Sequence, residues 1–167
     1  LMTDHLVVLT DKFRAQAVEA LTMDPNRVTR IRGGVDVEKY RPCEPPAGIR
    51  EQFGLSEQDV VFGIVARVQW HRRFDVLLDA FDRVRQRDPG IKIVVLGRGT
   101  HKEEILDRPL VQMGLEETVY PLGYRRDDYK DVLAMLDAGM MLVPGSDASC
   151  RAAMEMASMG KPLVVAE

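Results

Sequence analysis

Five short apolar runs alternate with helix-length segments from residue 60 to the end of the chain. The predicted strands cover residues 60–66, 91–96, 118–121, 139–143 and 163–166, and the predicted helices cover residues 74–87, 101–114, 127–136 and 149–159. Pro109 is expected to interrupt or kink the second of these helices. Near-continuous apolar strands that alternate with helices are typical of a parallel sheet covered on both faces. The sequence therefore predicts an α/β fold with a Rossmann-like, doubly wound parallel sheet.

Right-handed crossovers place the first strand of such a sheet beside the fourth, in the common order 3-2-1-4-5. The loops that follow these two strands then open onto the same crevice. The first loop carries three arginines, Arg67, Arg72 and Arg73. Guanidinium groups match phosphate oxygens and stay charged, so this loop is suited to a diphosphate; a solvated basic loop is the alternative.

The second loop lies between the fourth strand and the helix that follows it. Asp147 falls in this loop, and Glu155 falls about two turns inside the helix if the helix begins near Ser149. Both carboxylates can then reach the crevice, where they could accept hydrogen bonds from the vicinal hydroxyls of a sugar or ribose. An N-cap Asp and a solvated Glu are the alternative reading of the same pair.

The first 59 residues are less regular. They contain a predicted strand at 5–10, a helix at 12–22 capped by Thr10 or Asp11, a strand at 27–31 and a short helix near 49–53. Phe13, Ala17, Val18 and Leu21 are expected on one face of the first helix. The last predicted strand has no helix after it to cover the sheet, so we expect the chain to be a fragment of a longer protein.

Composition excludes several classes of protein. The net charge of -3 disfavours a general nucleic-acid binder, and no apolar run approaches the length of a membrane span. The opening residues do not form a signal peptide, so a soluble cytoplasmic protein is expected. The two cysteines and three histidines lack metal-ligand spacing, so no metal site is predicted.

Five blocks of the sequence resemble, in order, the retaining glycosyltransferases of family 4, also called group 1. These enzymes have the GT-B fold of two Rossmann-like domains that face a cleft. The blocks are residues 31–42, which resemble the interdomain segment; 63–81, the Gly-Arg block and its helix; 94–99, the Val-Gly-x-Gly loop; 122–123, the loop before the next helix; and 144–160, the motif with two acids eight residues apart.

The resemblance implies a role for each matching residue. Arg67 and Arg72 would hold the diphosphate of a sugar nucleotide and stabilise it as a leaving group, without a metal ion. Asp147 would contact the transferred sugar and take part in catalysis, and Glu155 would bind the ribose. The remaining nucleotide-binding residues would be Gly123, Tyr124, Arg125 and Ser146. Asp147 is one methylene shorter than the usual Glu, and Arg72 stands where the family usually has Lys.

The resemblance also implies the domain organisation and the partners. Residues 1–34 would be the tail of an N-terminal acceptor domain, and residues 35–167 would be the C-terminal sugar-nucleotide-binding domain, incomplete at its end. The donor would be a nucleotide-diphosphate sugar, with no other cofactor, and the acceptor a glycan or lipid-linked molecule. Peripheral contact with the inner face of the membrane would be made through the missing domain. The isolated fragment is expected to bind nucleotide but not to catalyse transfer.

Two other functions fit the same fold. A GT-B sugar-nucleotide epimerase would need carboxylates and a histidine spread over both domains, and nothing in this sequence favours it. A non-catalytic nucleotide-binding domain is the main alternative, because Asp147 could have replaced Glu after chemistry was lost.

Overall fold

The computed structural model describes residues 3–143 and 150–166. Its strands and helices follow the predicted alternation, with boundaries that differ by a few residues. They are β1 (Leu6–Val8), α1 (Asp11–Glu19), β2 (Val28–Arg30), α2 (Ile49–Gln52), β3 (Val60–Val65), α3 (Phe74–Arg85), β4 (Ile91–Leu96), α4 (Arg108–Gln112), β5 (Val119–Gly123), α5 (Tyr129–Ala134), β6 (Ala138–Met141), α6 (Arg151–Ser158) and β7 (Leu163–Val165).

The five later strands form one parallel sheet in the order β5-β4-β3-β6-β7. In sequence order this is 3-2-1-4-5, so the predicted fold class and strand order are both confirmed. β3 pairs with β4 along its whole length, and on its other side Gly63 pairs with Gly139 of β6. The reversal of winding therefore lies between β3 and β6, where a ligand crevice was expected.

Helices cover both faces of this sheet. Along β4, Ile93 and Val95 pack with α3 and the α4 region, whereas Val94 and Leu96 pack with α5 and α6. This alternation follows from the two-residue period of a strand. Because both faces are covered, β4 is apolar at successive positions and shows no polar face.

The helix predicted around Pro109 begins in a wider form. A π-helical segment, Glu103–Asp107, leads directly into α4. Pro109 is the second residue of α4, and because it has no N–H it can donate no hydrogen bond to the π-helical turn before it. The predicted irregularity is thus a change of helical winding next to the proline.

Two glycines allow the loops after β3 and β4 to run side by side. The N–H of Ala66 donates to the carbonyl of Leu96 (3.0 Å), and the N–H of Val68 donates to that of Arg98 (3.2 Å). A Cβ atom on Gly97 would lie 1.9 Å from the carbonyl oxygen of residue 66, and one on Gly99 would lie 1.8 Å from that of residue 68. Only glycine permits this approach, which sets the position of both loops.

β1 and β2 form a separate two-stranded parallel sheet with α1 beside it. Thr10 caps α1 as expected, since its hydroxyl accepts a hydrogen bond from the N–H of Phe13 (3.2 Å). Ala17 is buried, but Phe13 is exposed, and Leu21 is exposed beyond the end of the helix. The predicted apolar face is therefore wrong at these two positions. The assignment of residues 1–34 to another domain stays a prediction.

Among the described residues, no helix combines the length and the apolar character that crossing a bilayer would require.

Candidate functional site

A cleft of about 560 Å³ opens at the carboxyl ends of β3, β4 and β6. It brings together the loops after β3, β4 and β5 and the first two turns of α6, as the sheet order predicts. The charged and aromatic side chains that line it are Arg67, Arg72, Arg98, Tyr124, Arg125, Tyr129, Arg151 and Glu155. Five of the predicted site residues are thus in one place. Ser146 and Asp147 lie outside the described residues.

Arg72 links the loop after β3 to the segment just after β6 in the wall of the cleft. Its Nη1 donates a hydrogen bond to the carbonyl of Val143, just after β6 (3.0 Å). Its Nε is buried and has no hydrogen-bond partner within the described residues. A buried donor without an acceptor costs about 1–3 kcal/mol, so this atom is a natural contact for an oxygen of a ligand.

Arg67 is an exposed residue of the cleft wall, and its guanidinium makes no ion pair with any described residue. Arg73, in contrast, does not line the cleft. It adopts a left-handed backbone conformation (φ 56°) and pairs with Asp75 through Nη2 and Oδ2 (3.0 Å). Of the three arginines in the predicted basic loop, Arg67 and Arg72 therefore line the cleft and Arg73 does not, because the turn into α3 directs its side chain elsewhere.

Glu155 is 5% exposed and lies in the second turn of α6, as predicted. Its Oε2 accepts a hydrogen bond from the hydroxyl of Tyr129 (2.8 Å), and its Oε1 accepts one from Nε of Arg151 (3.0 Å). Burial, and secondarily the neighbouring carboxylate of Glu155, raises the pKa of Tyr129 well above its usual range. Tyr129 therefore stays protonated and acts as a donor.

The loop after β5 forms the far wall of the cleft. Gly123 turns the chain with φ 72°, and its carbonyl accepts a hydrogen bond from the N–H of Gly97 (2.8 Å). The guanidinium of Arg98 lies over the ring of Tyr124, 4.9 Å from its centroid. Gly123 supports this wall without lining the cleft, whereas Tyr124 and Arg125 line it.

Arg125 is partly neutralised within its own loop. Its Nε donates to Oδ1 of Asp128 (2.9 Å), and its guanidinium lies 5.3 Å from the ring of Phe53. The hydrogen bond that Arg125 donates to Asp128 raises the pKa of Arg125, and the same bond lowers the pKa of Asp128. The side chain of Arg125 is thus held within its own loop and its charge is partly neutralised there.

Sequence reasoning missed three residues of the cleft: Arg98, Tyr129 and Arg151. Arg151 precedes Glu155 by four residues on one helix, so the pair could have been found from helical spacing. Arg98 lies between two glycines of a recognised loop. Tyr129 gave no signal, because its contact with Glu155 joins residues far apart in the sequence.

Within residues 3–143 and 150–166, no group of three or more His, Cys, Asp or Glu side chains could hold a metal ion.

A family model and a curated relative both match this chain. The family model described as "Glycosyl transferases group 1" matches residues 59–167. A curated relative, the D-inositol 3-phosphate glycosyltransferase of Saccharomonospora viridis, is 31% identical over 98% of this chain. The chain spans only 39% of that relative's length.

Two solved structures share the fold. Anabaena Alr3699/HepE in complex with UDP-glucose matches with a TM-score of 0.79 at 22% identity, over 98% of this chain and 45% of that one. A glycosyltransferase from Rickettsia africae matches with a TM-score of 0.82 at 15% identity, over 97% of this chain and 44% of that one.

Proposed function

The chain belongs to the group 1 glycosyltransferases, and we propose that it carries the donor site of such an enzyme. The enzyme would transfer a sugar from a nucleotide-diphosphate sugar to a glycan or lipid-linked acceptor, with retention of configuration and without a metal ion. UDP-glucose is the first donor to test, because HepE of Anabaena was solved with it.

The observation that carries this proposal is the excess of cations in the cleft. Five arginines line it. Arg125 pairs with Asp128 and Arg151 pairs with Glu155, whereas Arg67, Arg72 and Arg98 have no carboxylate partner among the described residues. An otherwise acidic protein that concentrates unpaired guanidinium groups in one cleft is suited to a small anion, and a diphosphate matches their geometry.

The proposed roles are those that the family resemblance implies, and for the described residues their positions in the cleft support them. Arg67 and Arg72 would contact the diphosphate and neutralise it as it leaves, a form of electrostatic catalysis that needs no metal. Glu155 would accept hydrogen bonds from the ribose, and the backbone of Tyr124 and Arg125 would meet the base. Ser146 and Asp147, for which only the sequence speaks, would contact the donor and its sugar.

Calorimetric titration with UDP, GDP and ADP tests this proposal. Arg73, the neighbour of Arg72 in the sequence, provides a matched control for it. We expect one nucleotide to bind, and Arg67→Ala and Arg72→Ala each to weaken it about tenfold or more through loss of a charged hydrogen bond. Arg73→Ala should leave the affinity unchanged, because Arg73 pairs with Asp75 outside the cleft. Failure of all three nucleotides to bind, or an equal effect of Arg73→Ala, would contradict the proposal.

The alternative is a nucleotide-binding domain without catalytic activity, which the shorter acid at position 147 favours. Asp147→Glu, introduced into the complete protein, separates the two functions. In an enzyme the substitution should change the rate of transfer or the preference among donors, whereas a binding domain should not respond.

A further inference from the structure

Tyr129 has a role that the sequence did not indicate. We propose that it is a positioning residue that holds Glu155 as a receptor for the vicinal diol of a ribonucleotide. This inference rests on the proposed donor site and adds to it a physical basis for the choice of ribose over deoxyribose.

The argument starts from the burial of Glu155. Its side chain is 7% exposed, and a carboxylate so far removed from water needs hydrogen-bond donors to replace its lost hydration. It has two, Tyr129 from α5 and Arg151 from its own helix, and each donates to a different oxygen of the carboxylate. The two donors therefore fix the plane of the carboxylate.

The number of acceptor positions then determines what Glu155 can bind. Each oxygen of an ionised carboxylate has two lone-pair positions, and the protein uses one position on each oxygen. One position on each oxygen remains, and Glu155 is a wall residue of the cleft. Two adjacent acceptors match the two hydroxyl donors of a ribose. A 2′-deoxyribose has only one of these donors, so it would leave a buried acceptor without a partner.

Of the two donors, Tyr129 is the one whose position is rigid. Arg151 has a side chain that is 66% exposed, and it lies at the start of α6. Tyr129 is packed edge-on against the buried Tyr40, with ring centroids 6.2 Å apart and an interplanar angle of 76°. Its hydroxyl is therefore held in place by the core, and it can restrain Glu155 in the orientation that faces the ligand.

The test compares Tyr129→Phe with Tyr40→Phe. Both changes remove one hydroxyl from the same aromatic pair, but only the hydroxyl of Tyr129 contacts Glu155. The affinities for UDP, GDP and ADP and for their 2′-deoxy counterparts would be measured by calorimetry, and thermal unfolding would confirm that both variants fold.

We expect the preference for the ribonucleotide over its 2′-deoxy form to fall about fivefold in Tyr129→Phe, since one restraining hydrogen bond is lost. Tyr40→Phe should keep the preference of the unmodified protein. An unchanged preference in Tyr129→Phe, including an equal loss of affinity for both nucleotides, would overturn the inference even if Arg67→Ala still weakened binding and so supported the donor site. Absence of nucleotide binding by the unmodified protein would overturn both proposals.

Discussion

Replacing Arg50 with methionine should destabilise the fold by about 3 kcal/mol, because a single buried guanidinium joins the starts of the two central strands. Arg50 lies in α2 and is 9% exposed. Its Nη2 donates to the carbonyl of Met135 (2.7 Å) and to Oδ2 of Asp137 (2.9 Å), and Nη1 donates to the carbonyl of Asp59 (2.9 Å). The same Oδ2 accepts a hydrogen bond from the N–H of Val61 in β3 (2.7 Å).

The magnitude follows from what each partner loses. Met135 is 1% exposed, so its carbonyl would lose its partner in the core at a cost of about 1–3 kcal/mol. The side chain of Asp137 is 45% exposed, so water replaces most of that ion pair, and the pair contributes about 1 kcal/mol. The carbonyl of Asp59 is half-buried next to an exposed turn, where water can partly replace the bond. Methionine keeps the packing of the aliphatic part of the arginine side chain, so the free-energy cost contains no contribution from a cavity.

Urea-induced unfolding measures this change, and Arg73→Met is the control. In thermal unfolding of a protein of 167 residues, the same loss of about 3 kcal/mol would appear as a fall of about 6–12 °C in Tm. Arg73 makes only an exposed pair with Asp75, so its replacement should leave the midpoint unchanged. A loss below about 1 kcal/mol for Arg50→Met would show that the buried carbonyl finds another donor and that the reasoning from burial is wrong.

Two further predictions concern the cleft. Gly99→Ala should weaken nucleotide binding about tenfold or more, because the added Cβ would collide with the backbone of the loop that carries Arg67 and Arg72. Gly34→Ala is the control in the same titration: its Cβ would meet nothing within 4 Å, so it should have no effect. Asp128→Asn should make stability less dependent on pH below about pH 4. The reason is that the hydrogen bond from Arg125 lowers the pKa of Asp128 in the folded protein, so its contribution is complete above the unfolded pKa and is lost as the pH falls through the folded pKa; urea midpoints measured across this range check the sign.

The order of the sheet could be predicted because the apolar pattern of each strand indicates how far that strand is buried. The run from Ile91 to Leu96 is apolar at nearly every position, which only a strand covered on both faces requires. Strand order then follows from the handedness of crossovers, and the crevice follows from strand order. The positions of Arg67, Arg72 and Glu155 in one cleft needed no further information.

Side-chain direction could not be predicted in the same way. Arg72 and Arg73 are adjacent and chemically identical, yet one enters the cleft and the other leaves it, because Arg73 adopts a left-handed backbone conformation that no local pattern indicated. Tyr129 was missed because its partner is supplied by the tertiary fold. Sequence patterns thus locate the loops of the site, whereas packing decides which side chains of a loop take part.

The partners of each arginine distinguish structural roles from functional ones in this protein. Arg50, at the amino ends of the strands, is surrounded by acceptors supplied by the chain itself. Arg72, at the carboxyl ends, has one such acceptor and a buried Nε with none among the described residues. An unsatisfied buried donor is a cost of about 1–3 kcal/mol that folding alone does not recover, and an anionic ligand would remove it. Nucleotide binding should therefore stabilise the protein by more than its contacts at the surface of the cleft would supply, and Arg72→Ala should reduce that stabilisation while leaving the unliganded fold no less stable.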